Sequence, residues 1–198
     1  MNLLRSIPYL AMVAAVVSVP ALSNADEGVD PQAVWKEIQA LQKGPSIMPE
    51  SKVLQPGSRT VDYYTTDLSN GLASLAIKKA GGIEKVRKYP NGSLLVKENY
   101  TKDKKLASIT AMLKLQGYDP ADRNWVMAAY DPTGKVLAFG KVGSCIACHD
   151  MVHKQDLVFA PPPAQLLPVS TWKGFFPKQA ISPMYAKLLQ EHPKSIVR

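Results

Sequence analysis

The sequence predicts an α+β fold in which an antiparallel β-sheet is flanked by helices, with a Cys-x-x-Cys-His segment near the C-terminus. Two observations predict this fold class. A helix-forming pattern near the N-terminus is followed by several short β-rich runs that tight turns separate, and no heptad pattern typical of a helical bundle runs through them. Because strands joined by tight turns pair with their sequence neighbours, the predicted sheet is antiparallel.

The first helix is predicted to begin at Pro31. Asp30 is a favourable N-cap, and proline suits the first helical position. Apolar side chains follow at helical spacing on one face, namely Val34, Trp35, Ile38 and Leu41. Gly44 ends this pattern, and the proline-rich residues 45–57 are predicted to form a loop.

Two elements are predicted before the main body of the sheet. Residues 58–66 are rich in Thr, Val and Tyr, which favours a strand. Residues 72–80 are predicted to form a short helix that ends at Gly81-Gly82. Tyr89-Pro90-Asn91-Gly92 has the composition of a turn.

The segments after that turn have the residue pattern of strands. They are residues 93–99, 107–116, 124–130 and 135–139. Asp131-Pro132-Thr133-Gly134 supplies the turn before the last of them. Further along, the three prolines at 161–163 predict an extended crossing, and Ser182-Pro183 is predicted to begin a short helix.

The N-terminus has the features of a secretory signal peptide. Arg5 supplies a positive charge, residues 7–19 are mostly apolar, and Ser23-Asn24-Ala25 resembles a cleavage site. We therefore expect residues 1–25 to be removed and the protein to be periplasmic, with no membrane span after processing. An uncleaved anchor is the alternative, although the apolar run is short for a span. Residues 26–198 suffice for one well-buried domain.

The chain is basic, with a formal net charge of +8 at pH 7. Its lysines are dispersed and form no stripe interleaved with aromatic residues, so nucleic acid is not a predicted partner. A solvated basic face explains the charge without any partner. The alternative is that this surface steers an acidic redox partner protein toward the functional site.

Both cysteines of the chain lie in one motif, Cys145-Ile146-Ala147-Cys148-His149. Two thiols three residues apart can add to both vinyl groups of one haem, and the adjacent histidine then falls under the iron. The motif therefore predicts one covalent haem c, attached at Cys145 and Cys148, with His149 as the axial ligand. The alternatives are a thioredoxin-like redox pair and a structural disulfide. The predicted export favours haem, because haem c is attached outside the bacterial inner membrane.

The position of the motif narrows the class of cytochrome. A small electron-transfer cytochrome carries it near the N-terminus, whereas more than a hundred residues precede it here. The four-helix cytochromes c-prime carry it late, but their body consists of helical heptads. A β-rich body with a late motif fits neither class.

Several segments resemble cytochrome P-460 and its cytochrome c-prime-beta relatives. Besides the motif, they are Pro90-Asn91-Gly92-Ser93-Leu94-Leu95-Val96-Lys97-Glu98, Met112-Leu113-Lys114, Asn124-Trp125 and Asp156-Leu157-Val158-Phe159. The resemblance covers roughly residues 58–159 and is most specific in Asn-Gly-x-x-x-Val-Lys-Glu. It implies a domain built on an antiparallel sheet, commonly a homodimer, with a five-coordinate haem whose proximal ligand is His149.

The resemblance also implies a role for Lys97. In cytochrome P-460, a lysine in the segment matching Leu95-Val96-Lys97-Glu98 is joined through its side-chain nitrogen to the porphyrin edge. From the residues alone, Lys97 is one lysine on a strand, and an exposed charge is the alternative. Cross-linked family members oxidise hydroxylamine, whereas the c-prime-beta members lack the link and bind nitric oxide.

We therefore expect an oxidoreductase that acts on small nitrogen species such as hydroxylamine or nitric oxide. The alternatives are a non-catalytic nitric oxide binding protein and a simple electron carrier with six-coordinate iron. Hydroxylamine oxidation benefits from a general base, and residues 132–144 contain no Asp or Glu, which predicts slow turnover. Candidate bases are the turn residues Asp119, Asp122 and Asp131. Candidate sixth ligands are Met112, Met127, Met151, Met184, His153 and His192.

Overall fold

The computed structural model describes residues 28–43 and 54–197, and it confirms the predicted fold class. Six antiparallel strands form one sheet in which each strand pairs with its sequence neighbour. The predicted signal peptide, residues 1–25, lies outside the described residues, as does Gly44. Within the described ranges, every helix is too short or too polar to cross a membrane.

The strands are β1 (Gln55–Pro56), β2 (Tyr64–Ser69), β3 (Leu94–Tyr100), β4 (Leu106–Lys114), β5 (Trp125–Tyr130) and β6 (Val136–Gly140). The helices are α1 (Pro31–Lys43), α2 (Gly71–Ala80), α3 (Gly143–His149), α4 (Val169–Phe175) and α5 (Pro183–Glu191). Short 3₁₀ helices span Ile83–Lys85, Asp150–Gln155 and Pro193–Ser195.

Helix α1 covers one face of the sheet. Its apolar stripe buries Val34, Trp35 and Ile38 in a core with the strands, as predicted. The Trp35 ring lies 5.2 Å from the ring of Tyr130. Gly134, in the turn between β5 and β6, has φ +91°, and a Cβ atom there would lie 2.4 Å from Trp35 Nε1. This turn therefore needs glycine both for its backbone conformation and for the close approach of α1.

A second core forms at one end of the opposite face, where α2 packs. Asn70 caps this helix by accepting a hydrogen bond from Ala73 N at 3.1 Å, and Gly81 ends it in the left-handed conformation, as predicted. The buried members of this second core include Ile77, Tyr89, Met112, Trp125, Met127 and Leu157. The N-terminal part of α3 packs against the same core through Cys145 and Ile146. Helix α3 therefore lies on the face of the sheet opposite α1.

Strand β2 begins at Tyr64, later than the predicted strand over residues 58–66. The segment before it folds into a turn, in which Gly57 N donates to Tyr63 O at 2.8 Å. The Arg59 guanidinium pairs with the Asp62 carboxylate at 2.7 Å within the same turn. Because this turn uses the backbone groups Gly57 N, Arg59 N and Tyr63 O, β2 starts at Tyr64 and runs further along the chain than predicted.

The connecting segments also differ from the predictions. Residues 161–163 form a turn and not an extended crossing, since Ala164 N donates to Pro161 O at 3.0 Å, and the Pro162–Pro163 peptide is cis. The predicted loop over residues 45–57 ends in the short strand β1. Helix α4 was not predicted, because its seven residues include two β-branched residues and a glycine of low helix propensity among them. Helix α5 begins with Ser182 as N-cap, as predicted.

Candidate functional site

Helix α3 carries the Cys-x-x-Cys-His motif. Cys145 and Cys148 are free thiols one helical turn apart, so their side chains lie on neighbouring positions of one helix face. Burial raises the pKa of both thiols. A raised pKa is the opposite of what a reactive thioredoxin-like thiolate requires. Neither thiol therefore has the lowered pKa of a redox-active dithiol.

His149 is oriented by the chain that follows it. Its Nδ1 atom lies 2.6 Å from the carbonyl oxygen of Leu157, and its ring packs edge-on against Phe159 at 5.3 Å. Burial lowers the pKa of His149, the Leu157 hydrogen bond acts in the opposite direction, and the charge of Lys97 lowers it further. The imidazole is thus neutral, with the proton on Nδ1 and Nε2 without a hydrogen-bond partner among the described residues. This is the state in which histidine binds a metal.

The Leu157 carbonyl reaches His149 through an unusual backbone conformation. Asp156 and Leu157 have φ values of +57° and +65°, both in the left-handed region that non-glycine residues rarely adopt. Such a conformation persists only where surrounding contacts hold it. Those contacts come from Asp156.

A buried ion pair fixes Asp156. Its two carboxylate oxygens each lie 2.7 Å from Lys114 Nζ, and one of them accepts from Tyr89 N at 2.6 Å. The carbonyl oxygen of Asp156 accepts from Trp125 Nε1 at 2.6 Å. Strands β4 and β5 therefore hold the segment that positions His149, although neither strand contains a residue of the motif.

Four side chains pair across the sheet in register, and we call them the sheet row. The sheet row consists of Lys97 (β3), Thr110 (β4), Ala129 (β5) and Ala138 (β6). These residues are exposed or half-buried although they lie within the strands. Three of the four side chains of the sheet row, Thr110, Ala129 and Ala138, are small. They lie on the same face of the sheet as the second core, against which Cys145 and Ile146 of α3 pack.

Lys97 lies close to the motif. Burial raises the pKa of Cys148, but the positive charge of Lys97 lowers it, and the same charge lowers the pKa of His149. The Lys97 amine has no hydrogen bond and no ion pair in the part of the chain that the structure describes. The structure therefore brings all four residues that the sequence singles out into one site.

Asp67 is a residue of this site that the sequence analysis did not consider. It lies on β2, directly opposite Lys97 on β3, with its side chain on the same face. Burial raises the pKa of Asp67, and the charge of Lys97 acts in the opposite direction. The strand predicted over residues 58–66 ended one residue short of it. A strand continued through Thr65-Thr66-Asp67-Leu68-Ser69 would have placed Asp67 beside Lys97.

The other candidate bases have structural partners. Asp131 accepts hydrogen bonds from Thr133 and from Lys135 N within its turn. Asp119 is buried, with a carboxylate oxygen 3.6 Å from Lys141 Nζ. Asp122, near Asp119, is half-buried in the same loop.

The candidate sixth ligands occupy different parts of the described structure. Met112 and Met127 are buried in the second core, against which Cys145 also packs. His153 is exposed and bonds to Asp150 and Arg123. Met151, Met184 and His192 are half-buried.

The C-terminal segment forms a side wall near Cys148. The Arg59 guanidinium lies 4.2 Å from the centre of the Phe176 ring, and its charge lowers the pKa of Cys148, which burial raises. The Tyr185 hydroxyl accepts from Leu167 N at 2.7 Å. Trp172 packs edge-on against Tyr185 at 6.1 Å. Arg59, from the turn before β2, and Tyr185, from α5, thus lie near Cys148.

Comparison with known proteins gives one family. Residues 64–160 match the model of the family described as Cytochrome P460. The matched range runs from the start of β2 through α3 and includes the sheet row, the ion pair of Lys114 with Asp156, and the motif. No curated protein matches the chain.

Proposed function

We propose that the chain, whose residues 64–160 match the family described as Cytochrome P460, is a periplasmic monohaem c-type cytochrome that acts as an oxidoreductase on small nitrogen species such as hydroxylamine. The family implies a haem cofactor. The observation that carries the proposed activity is the position of Lys97, whose unpaired amine lies beside the motif and faces it from the sheet.

The residues of the site fit a covalent haem. Cys145 and Cys148 offer two free thiols on one helix face, and His149 offers a neutral imidazole with Nε2 available. When bound, haem supplies an iron centre that changes redox state and takes a small ligand at an open position. We propose that the two thiols form the thioether bonds and that His149 is the proximal ligand. The hydrogen bond to Leu157 fixes the ring orientation and raises the basicity of Nε2.

We further propose that Lys97 Nζ is bonded to the porphyrin edge. This bond replaces one N–H and one C–H bond by a C–N bond, so two electrons and two protons leave, and a two-electron oxidant such as a peroxide must take the electrons. The amine lacks a competing partner within the described structure, which leaves it available for this reaction.

The cross-link is tested by peptide mapping of the holoprotein. In digested wild-type protein, we expect the haem peptide with Cys145 and Cys148 to carry the peptide around Lys97 as well. Lys97→Ala should release that second peptide and return the red-shifted ferrous Soret band to that of ordinary haem c. The matched control is Lys102→Ala, which replaces an exposed lysine on the β3–β4 turn. It should leave the cross-linked peptide and the Soret band unchanged. An unmodified Lys97 peptide at full yield contradicts the cross-link.

Turnover is tested with hydroxylamine and an artificial one-electron oxidant. We expect hydroxylamine to bind the ferric protein and to be consumed, losing two electrons and two protons to become nitroxyl (HNO), with two oxidant equivalents reduced. Lys97→Ala should still bind nitric oxide but lose most of this turnover. If wild-type protein binds hydroxylamine without consuming it, the protein is a nitric oxide binder of the c-prime-beta type. A low-spin spectrum without ligand binding identifies an electron carrier instead.

A further inference from the structure

Asp67, which is half-buried, differs from the buried carboxylates of the described chain. Each of those has a cation or several donors in contact with it. Asp62 pairs with Arg59, Asp156 pairs with Lys114, Asp119 faces Lys141, and Glu98 accepts from Thr66, Tyr100 and Gln42. The Asp67 carboxylate has no hydrogen bond and no ion pair within the described residues.

This arrangement is costly for a purely structural residue. A carboxylate that is withdrawn from water without donors around it destabilises the fold, so buried polar groups are normally bonded. An unpartnered carboxylate in a recess is instead typical of a functional site. Asp67 is half-buried, which keeps it open to a small molecule that enters the site.

Asp67 lies on the face of the sheet that packs against the motif. Asp67 and Lys97 are directly opposite each other on β2 and β3. Lys97 lies on the same face of β3 as Leu95, which packs against the second core together with Cys145. Burial raises the pKa of Cys148 and lowers the pKa of His149, and the charge of Lys97 acts to lower both. The Asp67 carboxylate therefore lies on the sheet face that carries α3. His149 lies at the C-terminal end of α3.

We propose that Asp67 is the proton acceptor of this site, which takes a proton from a small ligand as the ligand binds or reacts at the haem iron. This inference rests on the proposed function. In hydroxylamine oxidation to nitroxyl, two equivalents of the external one-electron oxidant take the two electrons, and two protons are released. The Asp67 carboxylate takes the first proton at one oxygen and passes it to water, because the side chain is partly exposed, and it then takes and passes on the second proton in the same way. Asp67 thereby supplies the base that residues 132–144 lack.

Cyanide association tests this proposal without relying on turnover. Hydrogen cyanide is protonated at neutral pH and binds ferric iron as the anion, so a base in the pocket speeds its association. Asp67→Asn in the holoprotein should slow association at pH 7 by about 10²-fold, the lower end of what general bases contribute, and should leave the dissociation rate nearly unchanged. Asp67→Glu should restore part of the rate. Asp103→Asn, on the exposed β3–β4 turn, is the matched control.

The outcomes separate this inference from the proposed function. If Asp67→Asn associates with cyanide as fast as wild type, Asp67 is not the proton acceptor, whether or not hydroxylamine is oxidised. If Asp67→Asn slows cyanide association but the wild-type protein does not consume hydroxylamine, the result supports Asp67 as the proton acceptor and contradicts the proposed oxidase activity. Wild-type protein that binds no cyanide has a closed sixth position, and this overturns both.

Stability gives a second readout that a structural residue would not show. Burial disfavours the charged form of Asp67, so the folded state loses stability as pH rises through the raised pKa of this group. Asp67→Asn should therefore raise the thermal midpoint at pH 7, and the gain should vanish below about pH 4, where the carboxyl is protonated in both states. A lowered midpoint at pH 7 would show that Asp67 makes a stabilising contact and would contradict its assignment as an unpaired base.

Discussion

Replacing both Cys145 and Cys148 by Ala will abolish thioether-bound haem. Both thiols are free and lie one turn apart on α3, so no other cysteine is available to hold the ring. His149→Ala will leave the haem attached, because the thioether bonds do not involve the imidazole, but it will change the spin state and weaken axial ligation. Haem staining after denaturing electrophoresis measures attachment, and the absorption spectrum reports the spin state.

The expression host and a matched variant make this result decisive. The protein must come from a host with haem c maturation machinery, since attachment depends on it. Ala147→Ser changes an exposed residue between the two cysteines and should leave attachment intact. Wild-type protein without covalent haem would contradict the proposed cofactor chemistry, and a double variant that retained covalent haem would place the attachment elsewhere.

Local sequence signals predicted most of the secondary structure. Helices α1, α2 and α5 begin or end at residues whose capping preferences are strong, such as Pro31, Gly81 and Ser182. Strands β3 to β6 follow the predicted runs to within about two residues, which is the usual uncertainty of element ends. The motif is also local, so its three residues were identified without the fold.

The parts of the site that depend on long-range contacts were not predictable in this way. Lys114 and Asp156 are far apart in sequence, and neither has a local pattern that indicates an ion pair. The left-handed conformation of Leu157 follows from that pair and not from leucine itself. The predicted strand ended at Thr66 and so left out Asp67. The turn held by Arg59 and Asp62 delays the start of β2 to Tyr64, and the strand continues to Ser69.

We expect Lys114→Met, which removes the cation of the Lys114–Asp156 ion pair, to lower the free energy of unfolding by about 3–5 kcal/mol. The side chains of Lys114 and Asp156 are only 4% and 1% exposed, so removal of the cation leaves a buried carboxylate without its partner. Burial lowers the pKa of Lys114, and the bonds to Asp156 oppose that effect, so Lys114 depends on Asp156 to remain charged. Denaturant unfolding measures the loss. The double variant Lys114→Met with Asp156→Asn should lose less than the sum of the single variants, because neither charge is then left alone.

Lys141→Met is the matched control for this prediction. Lys141 faces Asp119 at 3.6 Å with a side chain that is 58% exposed, so its removal should cost no more than about 1 kcal/mol. The effect on the site can be measured apart from the effect on stability. In the folded Lys114→Met holoprotein, the Leu157 carbonyl loses the contacts that orient it toward His149, so the iron–histidine stretching frequency should shift. A loss below about 1 kcal/mol would contradict the structural importance of the pair. An unchanged frequency in a destabilised variant would show that the pair supports the fold without positioning His149.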